Sequence, residues 1–555
     1  MSVAEALLAK GAITAEHLQA ALAARKKPTD RVDRILVQMG FVDERAVLEV
    51  LGEELSLPVV DLTQETVDVQ LLRSMPSRLI HRRKLVPLSR DGDVLRVATS
   101  DPFDVYAFDE LRYLTGLRVE TVLATEEEIN SAIKQHYGVG GETIGEMVDD
   151  DEVELVVEKD ADDADLMEMA QEASVVKLVN EILMEAATER ATDVHIEPRE
   201  DDLCIRYRID GVLHNANVPV QIRRFQAAII SRIKILARMN IAEKRMPQDG
   251  AFRVRVHGRE IDVRVSVIPM QFGEGVVLRL LNKQTLGLPL TALGMAADTF
   301  ERFKRLIQLP HGIILVTGPT GCGKTTTLYA AIGQIVSDEI KVVTIEEPVE
   351  YNLTGVNQVP VNTKVGLTFA HGLRSFLRHD PDVIMVGEIR DLETAEVAVQ
   401  ASLTGHVVFS TLHTNDAASA TTRLLDMGVE PFLVSSTVEG IMAQRLVRSV
   451  CKQCKEAYRP DPKLLPSDFL YDGRELYRGR GCRECRGSGF RGRTGVFELL
   501  LMNDEIRELV MQRSGTTRII EAGKRNGLSL LREDGWRKVL QGVTTPEEIL
   551  RVSKV

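Results

Sequence analysis

Gly318-Pro319-Thr320-Gly321-Cys322-Gly323-Lys324-Thr325-Thr326 is the stretch on which the fold turns. It follows the apolar run Ile313-Ile314-Leu315-Val316, which has the length and branching of a buried strand, and a helix is expected to open near Thr325. Strand, glycine-rich turn and helix in that order make a phosphate loop. The glycines let backbone N–H groups converge on phosphate oxygens, helped by the positive end of the helix dipole. In such a loop Lys324 reaches the β and γ phosphates and the Thr325 hydroxyl ligates magnesium. Cys322, inside the loop, could make it sensitive to thiol reagents. A chance glycine turn is the alternative, and the flanking strand and helix patterns weigh against it.

Downstream, two further strand-like runs end in acids. Val342-Val-Thr-Ile345 leads into Glu346-Glu347-Pro348-Val349-Glu350, and Val383-Ile-Met-Val386 into Gly387-Glu388-Ile389-Arg390-Asp391. Ligands of open α/β sheets sit beyond the carboxyl ends of the strands, so both clusters can face the same nucleotide. Glu388 is assigned to polarise the attacking water, and Glu347 to organise metal and water, with Glu350 in support. A third turn comprises Gly405-His406, the run Val407-Val-Phe-Ser410, then Thr411-Leu-His413-Thr414-Asn415. His413 and His406 are candidates to contact the γ phosphate or the water. A core or capping histidine is the plainer alternative for each.

The 555-residue chain is long enough for three or four domains, and its net charge of -13 argues against a general polyanion binder. Asp149 to Asp165 carries ten carboxylates against Lys159 alone, a composition that repels itself, so 141–169 reads as an acidic flexible linker. Before it, residues 1–55 hold a weak duplication, with Gly11-Ala-Ile13 echoed by Gly40-Phe-Val42, and read as paired short helices. Residues 56–140 alternate strand and helix patterns and form a small α/β docking domain. After the linker, 170–285 reads as α+β, with a helix over Ser174–Ala187 and a hairpin turn at Asp210-Gly211. From 286 to 555 strands alternate with helices, the order of a mostly parallel sheet flanked by helices. No apolar run reaches the length of a membrane span, and Met1-Ser-Val-Ala-Glu-Ala lacks a basic, apolar leader, so a cytoplasmic protein is expected, attached to the membrane through partners.

Four of the six cysteines form two pairs, Cys451-x2-Cys454 and Cys482-x2-Cys485. Such knuckles are a zinc signature, and Lys452, Lys455, Arg483 and Arg486 beside them favour thiolates. A redox role is the alternative.

With these boxes in place the sequence resembles the secretion ATPase superfamily, the motors of type II secretion and type IV pilus systems. The resemblance rests on the phosphate loop, Glu346-Glu-Pro-Val-Glu350, Asp380 to Asp391 and Leu403 to Asn415. Upstream it includes Ala191-Thr-Asp-Val-His-Ile-Glu-Pro198 and Ile241 to Gly250. It implies a RecA-like core behind a PAS-like domain, and a homo-hexamer holding ATP between the two. It also implies roles for arginines: Arg374, Arg378, Arg390 and Arg423 around the nucleotide or subunit interface, and Arg206 and Arg223 as clamps on the terminal phosphate. A surface arginine is the alternative for Arg223. The tetracysteine site resembles the zinc site of secretion and pilus-assembly motors, which retraction motors generally lack. An inner-membrane platform protein and a cytoplasmic docking partner are implied, and no nucleic acid. The wording of His195-Ile-Glu197, Ile241-Ala-Glu243 and Arg279-Leu-Leu281 is closer to the secretion branch than to the pilus branch. Neither N-terminal repeat has the whole pattern with which some relatives bind cyclic di-GMP. A nucleic-acid translocase and a non-catalytic scaffold are the rival readings.

Overall fold

The computed structural model describes residues 3–25, 31–63, 65, 67–68, 71–72, 75, 77–141, 143–144, 172–256, 258–282 and 287–553. They fall into two compact units, Met1–Leu280 and Leu281–Val555. Among the described residues no helix is long and apolar enough to cross a membrane.

The first unit opens with two helix pairs, α1 (Val3–Ala9) with α2 (Ala15–Ala24), and α3 (Val32–Gln38) with α4 (Glu44–Leu55). Each pair reverses through a glycine, Gly11 or Gly40, both at φ 72°, a left-handed conformation that costs glycine little. This shared turn is what the sequence echo encodes. Helix α5 (Ser77–Arg83), β1 (Leu85–Asp91), β2 (Val94–Thr99), α6 (Val105–Thr115), β3 (Arg118–Leu123) and α7 (Glu126–Tyr137) follow, with the strands in the order β1-β2-β3. The acidic run Asp149–Asp165 lies outside the described residues. The expected start of the linker at residue 141 is corrected: Ile144 is buried in the core of the following domain, and Thr143 donates to Glu181 at 2.9 Å. One apolar side chain that finds a core is enough to hold the backbone before the charges begin.

Helix α8 (Ala173–Thr188) buries Val175, Leu178, Val179, Ile182, Leu183 and Ala186, one face of a 3.6-residue period. With α9 (Gln226–Leu236) it contributes to the core of a sheet ordered β6-β5-β4-β9-β8-β7. The strands are β4 (Asp193–Pro198), β5 (Leu203–Ile209), β6 (Val212–Asn215), β7 (Gln248–Val256), β8 (Arg259–Met270) and β9 (Gly273–Asn282). Asp210 (φ 49°) and Gly211 (φ 86°) make the β5–β6 hairpin turn, both in the positive region that a two-residue hairpin favours.

The second unit is a RecA-like α/β layer structure. After α10 (Ala297–Leu306) come β10 (Gly312–Thr317), α11 (Lys324–Ile335), β11 (Val342–Glu346), β12 (Val356–Pro360), α12 (Phe369–Phe376), β13 (Val383–Val386), α13 (Leu392–Leu403), β14 (Val407–Leu412), α14 (Ala417–Asp426), α15 (Pro431–Thr437) and β15 (Val438–Val450). Strands β16 (Lys455–Tyr458), β17 (Leu476–Gly479) and β18 (Phe490–Leu501) precede helices α16 (Asp504–Met511), α17 (Thr516–Arg525), α18 (Leu531–Leu540) and α19 (Pro546–Val552). The main sheet runs β12-β11-β13-β14-β10-β15-β18, parallel throughout except for β18 against β15. Ile313 and Leu315 enter one core, and Ile314 and Val316 the other, because successive side chains of a strand point to opposite faces.

Two buried carboxylates tie the last helices to this sheet. Glu498 on β18 accepts the N–H of Ala417 at 2.9 Å and of Leu531 at 3.1 Å, so one acid caps the starts of α14 and α18. Glu548, 3 % exposed, receives the Arg448 guanidinium of β15 and Arg551 at 2.8 Å. Burial pushes the Glu548 carboxyl up, but the two guanidiniums outweigh it and hold it at about 2. A carboxyl lowered on folding stabilises the native state above its unfolded value of about 4.3, and that contribution is lost as pH falls through the folded value. Glu548→Gln is expected to cost about 2 kcal/mol at neutral pH in urea unfolding, after allowing for screening of half-exposed Arg551. It should also flatten the decline in stability between about pH 5 and pH 2.

Candidate active site and metal centre

The phosphate loop leaves the carboxyl end of β10 with Gly318 at φ 150°, Gly321 at 80° and Gly323 at 91°. A Cβ on Gly318 would lie 2.6 Å from both the Cys322 sulfur and the Gln444 carbonyl oxygen, so only glycine fits there. Helix α11 starts at Lys324, and Thr325 and Thr326 lie in its first turn, half-buried. The Lys324 ammonium folds over the loop and donates to the Gly318 carbonyl at 2.7 Å; burial lowers its pKa, against the pull of Cys322 and Glu388.

At the same sheet edge β13 leads to Glu388 and β14 to His413, whose Nε2 lies 3.2 Å from the Glu388 carboxylate. Arg390 joins the two acidic turns, pairing with Glu388 and, at 3.1 Å, with Glu347. Burial pushes the Glu388 carboxyl up, yet Arg390 and His413 pull harder and keep it below its ordinary value. Glu388 is therefore ionised at neutral pH. Glu346 serves the scaffold instead. Buried at the end of β11, it accepts from Thr344 Oγ1 at 2.6 Å, Gln358 Nε2 at 3.1 Å and the Tyr329 hydroxyl. It fixes the turn from which Glu347 emerges, and Glu350 lies against Tyr329.

The other predicted residues are placed less centrally. Arg374 on α12 pairs with Glu393 at 2.7 Å, Arg378 donates to the Arg374 carbonyl at 3.2 Å, and Arg423 is exposed on α14. In the first unit Arg206 on β5 pairs with Glu197 at 2.7 Å and Arg223 is exposed. His406 stands apart from the loop of its own chain. It precedes β14, with Nδ1 2.8 Å from the Ala401 carbonyl oxygen, and Gly312, where β10 begins, donates to its own carbonyl. Within one chain it stands at the amino edge of the sheet, a strand's length from the loop, and caps α13. Sequence reasoning also passed over Gln444 and Arg445, whose one signal is a polar pair inside the apolar run of β15.

The four cysteines converge. Cys451 and Cys482 sulfurs are 3.8 Å apart, Cys454 and Cys485 3.7 Å, Cys482 and Cys485 3.7 Å, and all four lie within 4.8 Å of one another. A tetrahedron of thiolates about 2.3 Å from one zinc ion has sulfurs about 3.8 Å apart, so the cluster fits that ion. The Cys485 sulfur accepts backbone N–H from Cys482 at 3.1 Å and Gly489 at 3.3 Å, which favours a thiolate. Gly479 and Gly489 bring the flanking backbones together: a Cβ on Gly479 would fall 2.0 Å from the Gly489 carbonyl oxygen.

A phosphate loop with an acid and a histidine gathered at the same sheet edge defines the class of the unit, a phosphate-loop ATPase. A family model described as "Type II/IV secretion system protein" matches residues 168–551, and the chain belongs to that family. A second model, "MshEN domain", matches residues 55–143. The chain is 41 % identical over 555 residues to the type IV pilus assembly ATPase PilB of Myxococcus xanthus, covering 98 % of both chains. It is 43 % identical to the type II secretion system protein E of Xanthomonas campestris, covering 94 % of this chain and 92 % of that one. For the type II secretion system ATPase E of Vibrio cholerae the identity is 44 %, over 87 % and 97 %. Among solved structures the Legionella pneumophila ATPase DotB matches with a TM-score of 0.51 at 22 % identity, over 67 % of this chain and 94 % of that one, a likeness of fold.

Lys324→Ala is expected to abolish nucleotide binding in a titration with a fluorescent ATP analogue. Glu388→Gln should retain binding and lose at least about 100-fold in phosphate release, because only the water-directed carboxylate is removed. Elemental analysis should find about one zinc per chain. Joint replacement of Cys451 and Cys482 by serine should remove it and lower the melting temperature, with a smaller effect on nucleotide affinity.

Proposed function

We propose that this chain is the cytoplasmic, magnesium-dependent ATPase of a type II secretion system, working as a ring of six subunits. ATP hydrolysis drives an inner-membrane platform protein so that a pseudopilus is assembled, and the N-terminal region docks on the cytoplasmic domain of a partner. The observation that carries this reading is the Glu388–Arg390–Glu347 cluster with His413, facing Lys324 across the phosphate loop. Ionised Glu388 accepts a proton from the attacking water as its oxygen bonds the γ phosphorus and ADP leaves. His413 orients that water, and Lys324 with the loop N–H groups offsets charge on the phosphoryl oxygens. Magnesium held at Thr325, with Glu347 ordering its water, would add to that charge neutralisation. We assign zinc to the four thiolates, a closed structural site that anchors the end of β15.

Support for the secretion reading comes from the relatives named type II secretion protein E, at 43 % and 44 % identity. The pilus-assembly reading is favoured by the Myxococcus relative, which matches over 98 % of both chains. Deleting the gene in the source bacterium separates them. Secreted enzymes should be retained in the cell while surface pili persist, and a Glu388→Gln copy should fail to restore release; lost pili with normal secretion would overturn the assignment.

A further inference from the structure

Strand β15 runs beside β10 in parallel register, with Val316 against Met442 and Thr317 against Ala443. The residues that follow, Gln444 and Arg445, therefore stand level with the first residues of the phosphate loop. Polar side chains inside a sheet need partners, and both of these find theirs in the site. Gln444 Oε1 accepts the Thr327 hydroxyl at 2.6 Å, which pins the first turn of α11. Arg445, 9 % exposed, donates Nη2 to the Asn415 carbonyl at 2.8 Å and to Asn415 Oδ1 at 3.3 Å, and Nη1 to the Gln444 carbonyl at 2.9 Å. Asn415 belongs to the turn that carries His413. On its other side the guanidinium backs the loop, for a Cβ on Gly318 would lie 3.0 Å from Arg445 Nη1.

This buried charge is poorly compensated. The carboxylates whose fields reach it, Glu498 and Asp416, are engaged elsewhere: Glu498 by the Ala417 and Leu531 N–H groups, Asp416 by the N–H and hydroxyl of Ser419. Burial lowers the Arg445 pKa, and burial together with Arg445 lowers that of Lys324. Two cations thus sit beside one glycine loop, a repulsion that a polyanion in the loop relieves.

We propose that Arg445 is a positioning residue for ATP hydrolysis, whose buried charge strengthens phosphate binding and whose fork keeps the His413 turn registered on the loop. It acts through Gly318 and Asn415 rather than on the substrate. The two halves separate experimentally in the full-length chain, with affinity measured by fluorescent ATP and ADP, turnover by phosphate release, and Lys324→Ala marking binding at this site. Arg445→Gln removes the charge, and the Kd for both nucleotides should rise about tenfold. Arg445→Lys keeps the charge but cannot fork, so Kd should stay within about threefold of the parent while kcat falls about tenfold. Lysine rescue of affinity is a result that a packing role does not produce. A pH series gives a second measure should the glutamine variant fail to fold. A lysine here loses its proton as pH rises, so the ratio of Arg445→Lys to parental Kd should grow between about pH 8 and pH 10. Parental affinity in Arg445→Gln, parental kcat in Arg445→Lys, or a flat ratio across that range would overturn the proposal.

Discussion

Strand β10 is buried at all six of its positions between the parallel strands β14 and β15, and the chemistry of the second unit depends on that placement. Parallel neighbours deliver their carboxyl ends to one edge, so Lys324, Glu388 and His413 meet although they are far apart in sequence. The register is protected by the two cores. Ile313 and Leu315 fill one and Ile314 and Val316 the other, and a slip of one residue would exchange the faces of every side chain. Holding the register also holds Gly318 against Gln444, where no side chain fits. The glycine spacing of the loop is in this sense a consequence of the sheet as much as of the phosphate.

Features encoded by local spacing could be read directly from the sequence. The phosphate loop needs a strand, three glycines and a helix in one short stretch, and the four cysteines need only two matched pairs; both converge in the structure. The RecA-like order of strands and helices was legible for the same reason. What could not be read depends on which way a side chain faces after the chain has folded. Glu346 and Glu347 are neighbours of identical chemistry, yet one is buried among Thr344, Tyr329 and Gln358 while the other pairs with Arg390. His406 and His413 flank one strand, and a strand has two ends, so only one of them can stand near the loop of its own chain.

Arg445 escaped for another reason. Its partners, Asn415 and the backbone at Gln444, carry no charge, so no opposite sign elsewhere in the sequence advertises the contact. Ile144 shows the converse error. Its acidic surroundings suggested an extended linker, but burial beside Val139 and Leu178 places this isoleucine in the core of the following domain. Composition averages over a window, whereas packing is settled one side chain at a time.

Strand β15 reaches from the flank of the phosphate loop to the metal knuckles, its pairing with β18 shifting register between Arg448 and Val450. Gln444 and Arg445 sit in its middle, Arg448 is clamped by Glu548, and Cys451 follows its last residue. An extended strand advances about 3.3 Å per residue. Between Arg445 and Cys451 the chain therefore spans at most about 20 Å, so the cysteine cluster lies one short run of extended backbone from the flank of the phosphate loop. The cysteine cluster is thus placed by the same strand that flanks the phosphate loop, so the two sites share one piece of backbone.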